Sequence, residues 1–139
     1  MIACNVFAIQ EESSIEKAIT GLAKALTDFP STRDVQSVLR FYSEDYIGIN
    51  DGTFETFDDI RKKFTDLRED VNHGTTLLIS YKVSNIKIQV SGVMAWATYD
   101  FSAKLGKGIL RKEDHGKCTG IYKMKGMAWV AQHLHCSTQ

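Results

Sequence analysis

Ile15, Ile19, Leu22, Leu26 and Phe29 recur every three to four residues, the spacing that lines one face of an α-helix with apolar side chains. Ser13 and Glu16 have the form of a capping box, and Pro30 follows the stripe, so the pattern predicts a first helix over residues 13 to 30, behind an N-terminal extension of residues 1 to 12. A shorter stripe of Val35, Val38, Leu39 and Tyr42 predicts a second helix over residues 32 to 42. Residues 46 to 50 read as a strand, and Asp51-Gly52 favours a tight turn into a short hairpin toward Phe54. A third helix follows, with Thr56 as its cap, Asp58 and Asp59 in its first turn, and Ile60, Phe64 and Leu67 as its buried stripe.

Everything after residue 75 reads as strand: about 76 to 90, 93 to 105, 117 to 125 and 128 to 137, with turns at Ser91-Gly92 and Lys125-Gly126. The charged stretch from 106 to 115 reads as a solvated loop or frayed strand ends. No repeat or linker divides the chain, so residues 1 to 139 are expected to form one domain. The segment 93 to 101, Val-Met-Ala-Trp-Ala-Thr-Tyr-Asp-Phe, is apolar at both parities, which predicts a sheet covered on both faces. Three helices can cover only the concave face. A second copy of the chain is therefore expected on the convex face, burying more than about 1,000 Å² in a homodimer.

Lysine plus arginine and aspartate plus glutamate number 17 each, which leaves no net positive field to hold nucleic acid or an anionic membrane. No apolar run approaches the length of a membrane span, and the first ten residues lack the charged and apolar regions of a signal peptide. A cytoplasmic protein is the expectation. Cys4, Cys118 and Cys136 are odd in number and widely spaced, which suits reduced thiols better than a disulfide framework.

Three local segments carry a family resemblance: Phe41-Tyr42-Ser43-Glu44-Asp45 before the first strand, Gly92-x-x-Ala95-x-Ala97, and Trp129-x-x-x-His133-x-His135-x-Ser137 at the end. With the order of elements they resemble the nuclear transport factor 2-like, or SnoaL-like, superfamily over nearly the whole chain after Ile15. The last segment is also similar to the association (hub) domain of calcium/calmodulin-dependent protein kinase II. The resemblance implies an α+β fold: a cone-shaped, curved antiparallel sheet with three N-terminal helices on its concave face, as in cystatin-like folds. It further implies a pocket in the cone, lined by Tyr46, Asn50, Met94, Trp96, Thr98, Asp100, Ser102, Cys118, Gly120, Tyr122, Gln132, Leu134 and Cys136. Alternation then sends Tyr99, Phe101, His133 and His135 to the other face.

The resemblance extends to ketosteroid isomerases, which use a carboxylate base with a tyrosine and a protonated aspartic acid. This chain departs from that apparatus: the base position falls near Asn50, the acid position near Cys118, and the first helix carries no tyrosine. Asp100 is instead the candidate catalytic residue, since a carboxylate among Trp96, Tyr99 and Phe101 would be desolvated and its pKa raised. The alternative is a carboxylate that hydrogen-bonds a neighbour or reaches water. His133 and His135 share a face, but a metal needs further ligands, and only His73 and His115 remain, both in expected loops; no metal or other cofactor is expected. His135 points away from Cys136 in a regular strand, which argues against a cysteine nucleophile.

The leading expectation is a homodimer that binds a small apolar or amphipathic molecule, with lyase, isomerase or hydrolase chemistry open to it. The alternative is an oligomerisation or interaction module like the kinase hub. The hub's pocket arginines are matched here by Ser102, Gly120 and Cys136, so recognition of an anionic ligand does not carry over.

Overall fold

The computed structural model describes the backbone of residues 2–69 and 77–139. His73, the Cys4 side chain and the expected strand start at Thr76 lie outside the described residues. Helices α1 (Ile2–Thr32) and α2 (Val35–Leu39) lead into a hairpin of β1 (Ile47–Asn50) and β2 (Thr53–Thr56). Helix α3 (Phe57–Glu69) follows. Strands β3 (Leu77–Ser91), β4 (Met94–Lys107), β5 (Leu110–Lys125) and β6 (Ala128–Thr138) complete the chain. One six-stranded sheet has the order β2-β1-β6-β5-β4-β3, so the fold is α+β. Its neighbours in the sheet are antiparallel except β1 and β6, which run parallel and pair Ile49 with His135 and Asn50 with Cys136.

Helix α1 corrects the expected boundaries. It starts at Ile2 instead of Ser13, because the stretch before Ser13 holds no glycine or proline to stop it. Pro30 lies inside its last turn, where few downstream turns depend on its missing N–H. Arg33, at φ 53°, ends the helix and donates its N–H to the Phe29 carbonyl at 2.8 Å. The predicted stripe is the buried one: Ile15, Ile19, Leu22 and Phe29 enter the core. Trp129 Nε1 donates to Glu11 at 2.8 Å and fastens α1 to β6. Thr27 fastens it to β3, its hydroxyl donating to the Tyr81 carbonyl and accepting the Tyr81 N–H.

Helix α2 is shorter than predicted and is capped by Asp34, whose carboxylate accepts the Ser37 N–H. Thr56 does cap α3: its hydroxyl accepts the Asp59 N–H while Asp59 accepts the Thr56 N–H, a reciprocal pair that satisfies two otherwise orphaned donors. Asp51 and Gly52 both adopt positive φ, 48° and 82°, the geometry of a two-residue hairpin turn matched to strand twist. The charged stretch from 106 to 115 is not a loop. Strands β4 and β5 continue through it to a two-residue tip at Gly108 and Ile109, pairing Lys104 with Glu113 and Lys107 with Leu110. Its cross-strand ladder supplies what its polarity hid.

The inner face of the sheet carries Ala95, Ala97, Tyr99, Phe101 and Ala103 from β4, all buried, against the helices. The opposite parity holds Met94, Trp96, Thr98, Asp100 and Ser102, so the expected facing of β4 is reversed. Tyr99 and Phe101 point in, and the five residues assigned to the pocket point out. The apolar outer row is short: Met94 and Trp96, 38% and 48% exposed, adjoin Ile121, and polar residues follow. No helix among the described residues is long and apolar enough to cross a membrane.

Candidate functional site

All five tyrosines of the chain, Tyr42, Tyr46, Tyr81, Tyr99 and Tyr122, belong to the core or pack against it. Burial raises the pKa of each, that of Tyr99 to about 12. They stay neutral hydrogen-bonding groups at ordinary pH. The Tyr122 hydroxyl donates to that of Tyr99, which adds to the rise at Tyr122 and opposes the rise at Tyr99. The rings of Tyr42 and Tyr46 meet edge to face at 4.8 Å, and Tyr81 stacks on Phe101 at 5.5 Å.

Between these rings and the helices the fold encloses a cavity of about 300 Å³, at the lower end of the range for small-molecule sites. Its floor is apolar: Ile19, Leu22 and Leu26 of α1, Ile60, Phe64 and Leu67 of α3, and Leu134 of β6. Tyr42, Tyr46, Tyr81 and Tyr99 form the wall. The polar rim is Asn50, Asp51, Glu55, Lys63, Asp114 and Thr138, of which Asn50, Asp51, Lys63 and Thr138 are exposed.

The expected pocket residues divide. Tyr46, Asn50, Leu134 and Cys136 line the cavity. Cys118, Gly120 and Tyr122 lie on the inner face, buried behind it. Gln132 does not, because a register shift between Ile121 and Tyr122 makes it a bulge residue opposite neither. That extra residue sets Ala131 and Leu134, not Gln132, on the inner face. Met94, Trp96, Thr98, Asp100 and Ser102 are outside.

Asp100 is not a desolvated carboxylate. Lys117 Nζ donates to it at 2.8 Å and Asn85 Nδ2 at 3.4 Å. The Lys117 hydrogen bond above all holds its pKa below the usual carboxylate range. The structure therefore gives it the hydrogen-bonded role and removes the ground for a catalytic one. Cys118 and Cys136 are not free thiols either: they form a disulfide across β5 and β6 at a Cα separation of 4.1 Å. The odd count misled because the third cysteine is Cys4. His133 and His135 sit on the outer face, where His133 Nδ1 lies 2.6 Å from the Ile47 carbonyl.

Glu55 is the rim residue the sequence reading missed. It is half-buried and pairs with Gly48, above which the Tyr46 hydroxyl lies. Counting back from the two-residue turn at Asp51-Gly52 would have found it, since Asn50 then faces Thr53 and Gly48 faces Glu55. Asp51, also on the rim, is committed to structure. It accepts the Thr138 N–H and hydroxyl at 2.6 and 2.8 Å, bonds that hold its pKa low and tie the hairpin to the end of β6.

The family model described as SnoaL-like domain matches residues 15–139. The chain belongs to the SnoaL-like domain family. Comparison with curated proteins yields no match. Among solved structures, this SnoaL-like domain is similar to a conserved protein of Planctomyces limnophilus, with a TM-score of 0.78 at 12% identity over 94% of this chain and 97% of that one. A scytalone dehydratase candidate of Novosphingobium aromaticivorans gives 0.76 at 18% identity over 100% and 89%. A nuclear transport factor 2-like protein of Cytophaga hutchinsonii gives 0.75 at 14% over 92% and 98%. These likenesses establish the fold of the SnoaL-like domain, and the cavity between its helices and sheet is where that fold gathers its tyrosines.

Proposed function

We propose that this SnoaL-like domain is a small-molecule-binding protein whose ligand, an apolar or amphipathic compound, enters the cavity between α1, α3 and the inner face of the sheet. The cavity itself carries the reading: about 300 Å³ of space with an apolar floor, a tyrosine wall and a polar rim at its open end. Burying an apolar ring there gains about 25 cal/mol per Å² of surface removed from water, and the tyrosine hydroxyls and rim supply direction. The name of the scytalone dehydratase candidate supports small-molecule chemistry in this fold. No arginine lines the cavity among the described residues, which favours this reading over a hub-like module whose pocket recognises an anionic ligand.

Naphthalene, a neutral probe, tests the cavity. It should raise the melting temperature of the wild type and not that of Leu134→Trp, whose indole fills the floor. Absence of any shift in the wild type, or an equal shift in the filled variant, overturns the reading.

The same proposal includes a homodimer through the outer sheet face, centred on Met94, Trp96 and Ile121, which are 38%, 48% and 39% exposed. Light scattering should give twice the 15.6 kDa chain mass at micromolar concentration, and Trp96→Lys should give the monomer. A monomeric wild type removes this part. The Cys118–Cys136 disulfide suits an oxidising compartment better than the expected cytoplasm.

A further inference from the structure

Most charged groups at the cavity rim are already engaged. Asp51 accepts two hydrogen bonds from Thr138, and Asp114 pairs with Lys112 at 3.2 Å. Lys63 is exposed, with its ammonium 5.9 Å from the centre of the Phe64 ring. Glu55 differs from all three. It is half-buried, it lines the cavity, and its carboxylate makes no hydrogen bond or ion pair among the described residues. Holding a carboxylate partly out of water without a partner costs free energy. That cost is recovered if a ligand supplies the cation.

The surroundings favour a cation as well. Tyr42, Tyr46, Tyr81 and Tyr99 line the same cavity as Glu55 and give it an aromatic wall. Ring faces attract ammonium groups by about 0.5 to 2 kcal/mol, more as water is excluded. The negative field of Glu55 reaches this wall: after burial it is the next cause of the raised Tyr46 pKa, and it contributes last to that of Tyr42. Lys63, the cation on the same rim, is exposed, and an exposed charge is screened by water and salt more than a half-buried one.

Resting on the ligand-binding reading above, we propose that the cavity selects small amines whose protonated nitrogen pairs with Glu55 while an apolar ring or chain fills the space over Leu134 and Leu22. At neutral pH such amines carry their charge, as the lysine side chain does. A neutral alcohol of the same shape would gain the burial but not the charge-assisted hydrogen bond. A carboxylate of the same shape would meet Glu55 as a like charge.

Isothermal titration with three probes of one shape tests this: 2-phenylethylamine, 2-phenylethanol and 3-phenylpropanoate, with naphthalene run on the same samples. The wild type should prefer the amine to the alcohol by about tenfold or more, in line with a charge-assisted contact. Glu55→Gln, nearly isosteric on an edge strand, should erase that preference and leave alcohol and naphthalene binding in place. Alcohol or carboxylate binding as tight as the amine, or a preference that survives Glu55→Gln, overturns the amine inference alone. If naphthalene also fails to enter the wild type, the cavity reading falls with it.

Discussion

Asp100 and Lys117 face each other across β4 and β5, carboxylate to ammonium at 2.8 Å, on the side of the sheet that turns away from the cavity. The Asp100 side chain is 36% exposed, so the pair is an ordinary surface contact and a modest one. Its sign is nonetheless definite. The Lys117 hydrogen bond depresses the folded-state pKa of Asp100, so the folded protein binds that proton less tightly than the unfolded chain. The contribution is present above the unfolded value near pH 3.9 and fades as pH falls through the folded value. Asp100→Asn should therefore be slightly less stable than the wild type in urea at pH 7, with the difference shrinking as pH falls below about 3.9. Binding of naphthalene should be unchanged. A variant more stable than the wild type at pH 7 would restore the picture of a desolvated carboxylate.

Gly48 and Tyr46 make a second checkable pair. A Cβ on Gly48 would sit 2.0 Å from the Tyr46 hydroxyl oxygen and 2.6 Å from the ring carbon that bears it. Tyr46 is only 4% exposed and cannot swing aside without disturbing Tyr42, against whose ring it packs. Gly48→Ala should cost about 1 to 3 kcal/mol of stability, the usual penalty of overpacking. It should also weaken naphthalene binding, because the displaced ring moves into the cavity. Gly52→Ala, where nothing lies within 4 Å, pays only for its positive φ and should leave binding intact. Equal affinity in the wild type and Gly48→Ala would show that Tyr46 is not part of the wall.

The family, the helix stripes, the turn at Asp51-Gly52, the cap at Thr56, and the mostly antiparallel meander were legible because each rests on spacing within one segment. The facing of β4 was not. A strand that reads Met-Ala-Trp-Ala-Thr-Tyr-Asp-Phe offers large apolar groups on both parities, and Trp96 outweighs Ala95 and Ala97 on any local scale. Packing decides otherwise: Tyr99 and Phe101 supply the bulk of the inner row, and Ala95 and Ala97 are buried with them. The tie could have been broken by register. The two-residue tip at Gly108 and Ile109 sets Tyr99 opposite Cys118, and Cys118 had already been assigned inward. Treating residues 106 to 115 as a loop hid that tip. Gln132 failed for a different reason, a bulge that no local pattern marks.

The disulfide gives a prediction of its own. Cys118 and Cys136 are 18 residues apart in sequence and join neighbouring strands, so the bond closes a modest loop of the unfolded chain. Its loss should cost about 3 kcal/mol on the chain-entropy account. Cys118→Ala with Cys136→Ala should lower the unfolding free energy extrapolated from urea melts by that much relative to the oxidised wild type. A thiol count on denatured, unreduced protein should find one reactive cysteine, and after reduction three, the chain's total. Three before reduction would mean that the two thiols are unpaired.

The tyrosines make the last prediction. Every tyrosine of the chain has a raised pKa, with burial as the first cause at each, and Tyr99 stands at about 12. An unfolded tyrosine loses its proton near pH 10. Between pH 10 and 12 the unfolded chain therefore holds fewer protons than the folded one, and stability falls as pH rises. The stability linked to these groups is fully present below pH 10 and is lost above it. Because five residues act together, the loss should be steep, with phenolate formation and unfolding occurring as one event. Absorbance at the phenolate band and far-ultraviolet circular dichroism, followed through the same alkaline titration, should change in step. Tyr122→Phe removes the hydroxyl that donates to Tyr99 and should shift both curves together. If phenolate instead appears near pH 10 in a chain whose circular dichroism is still native, the tyrosines are solvated, and the aromatic wall of the cavity is not packed as described.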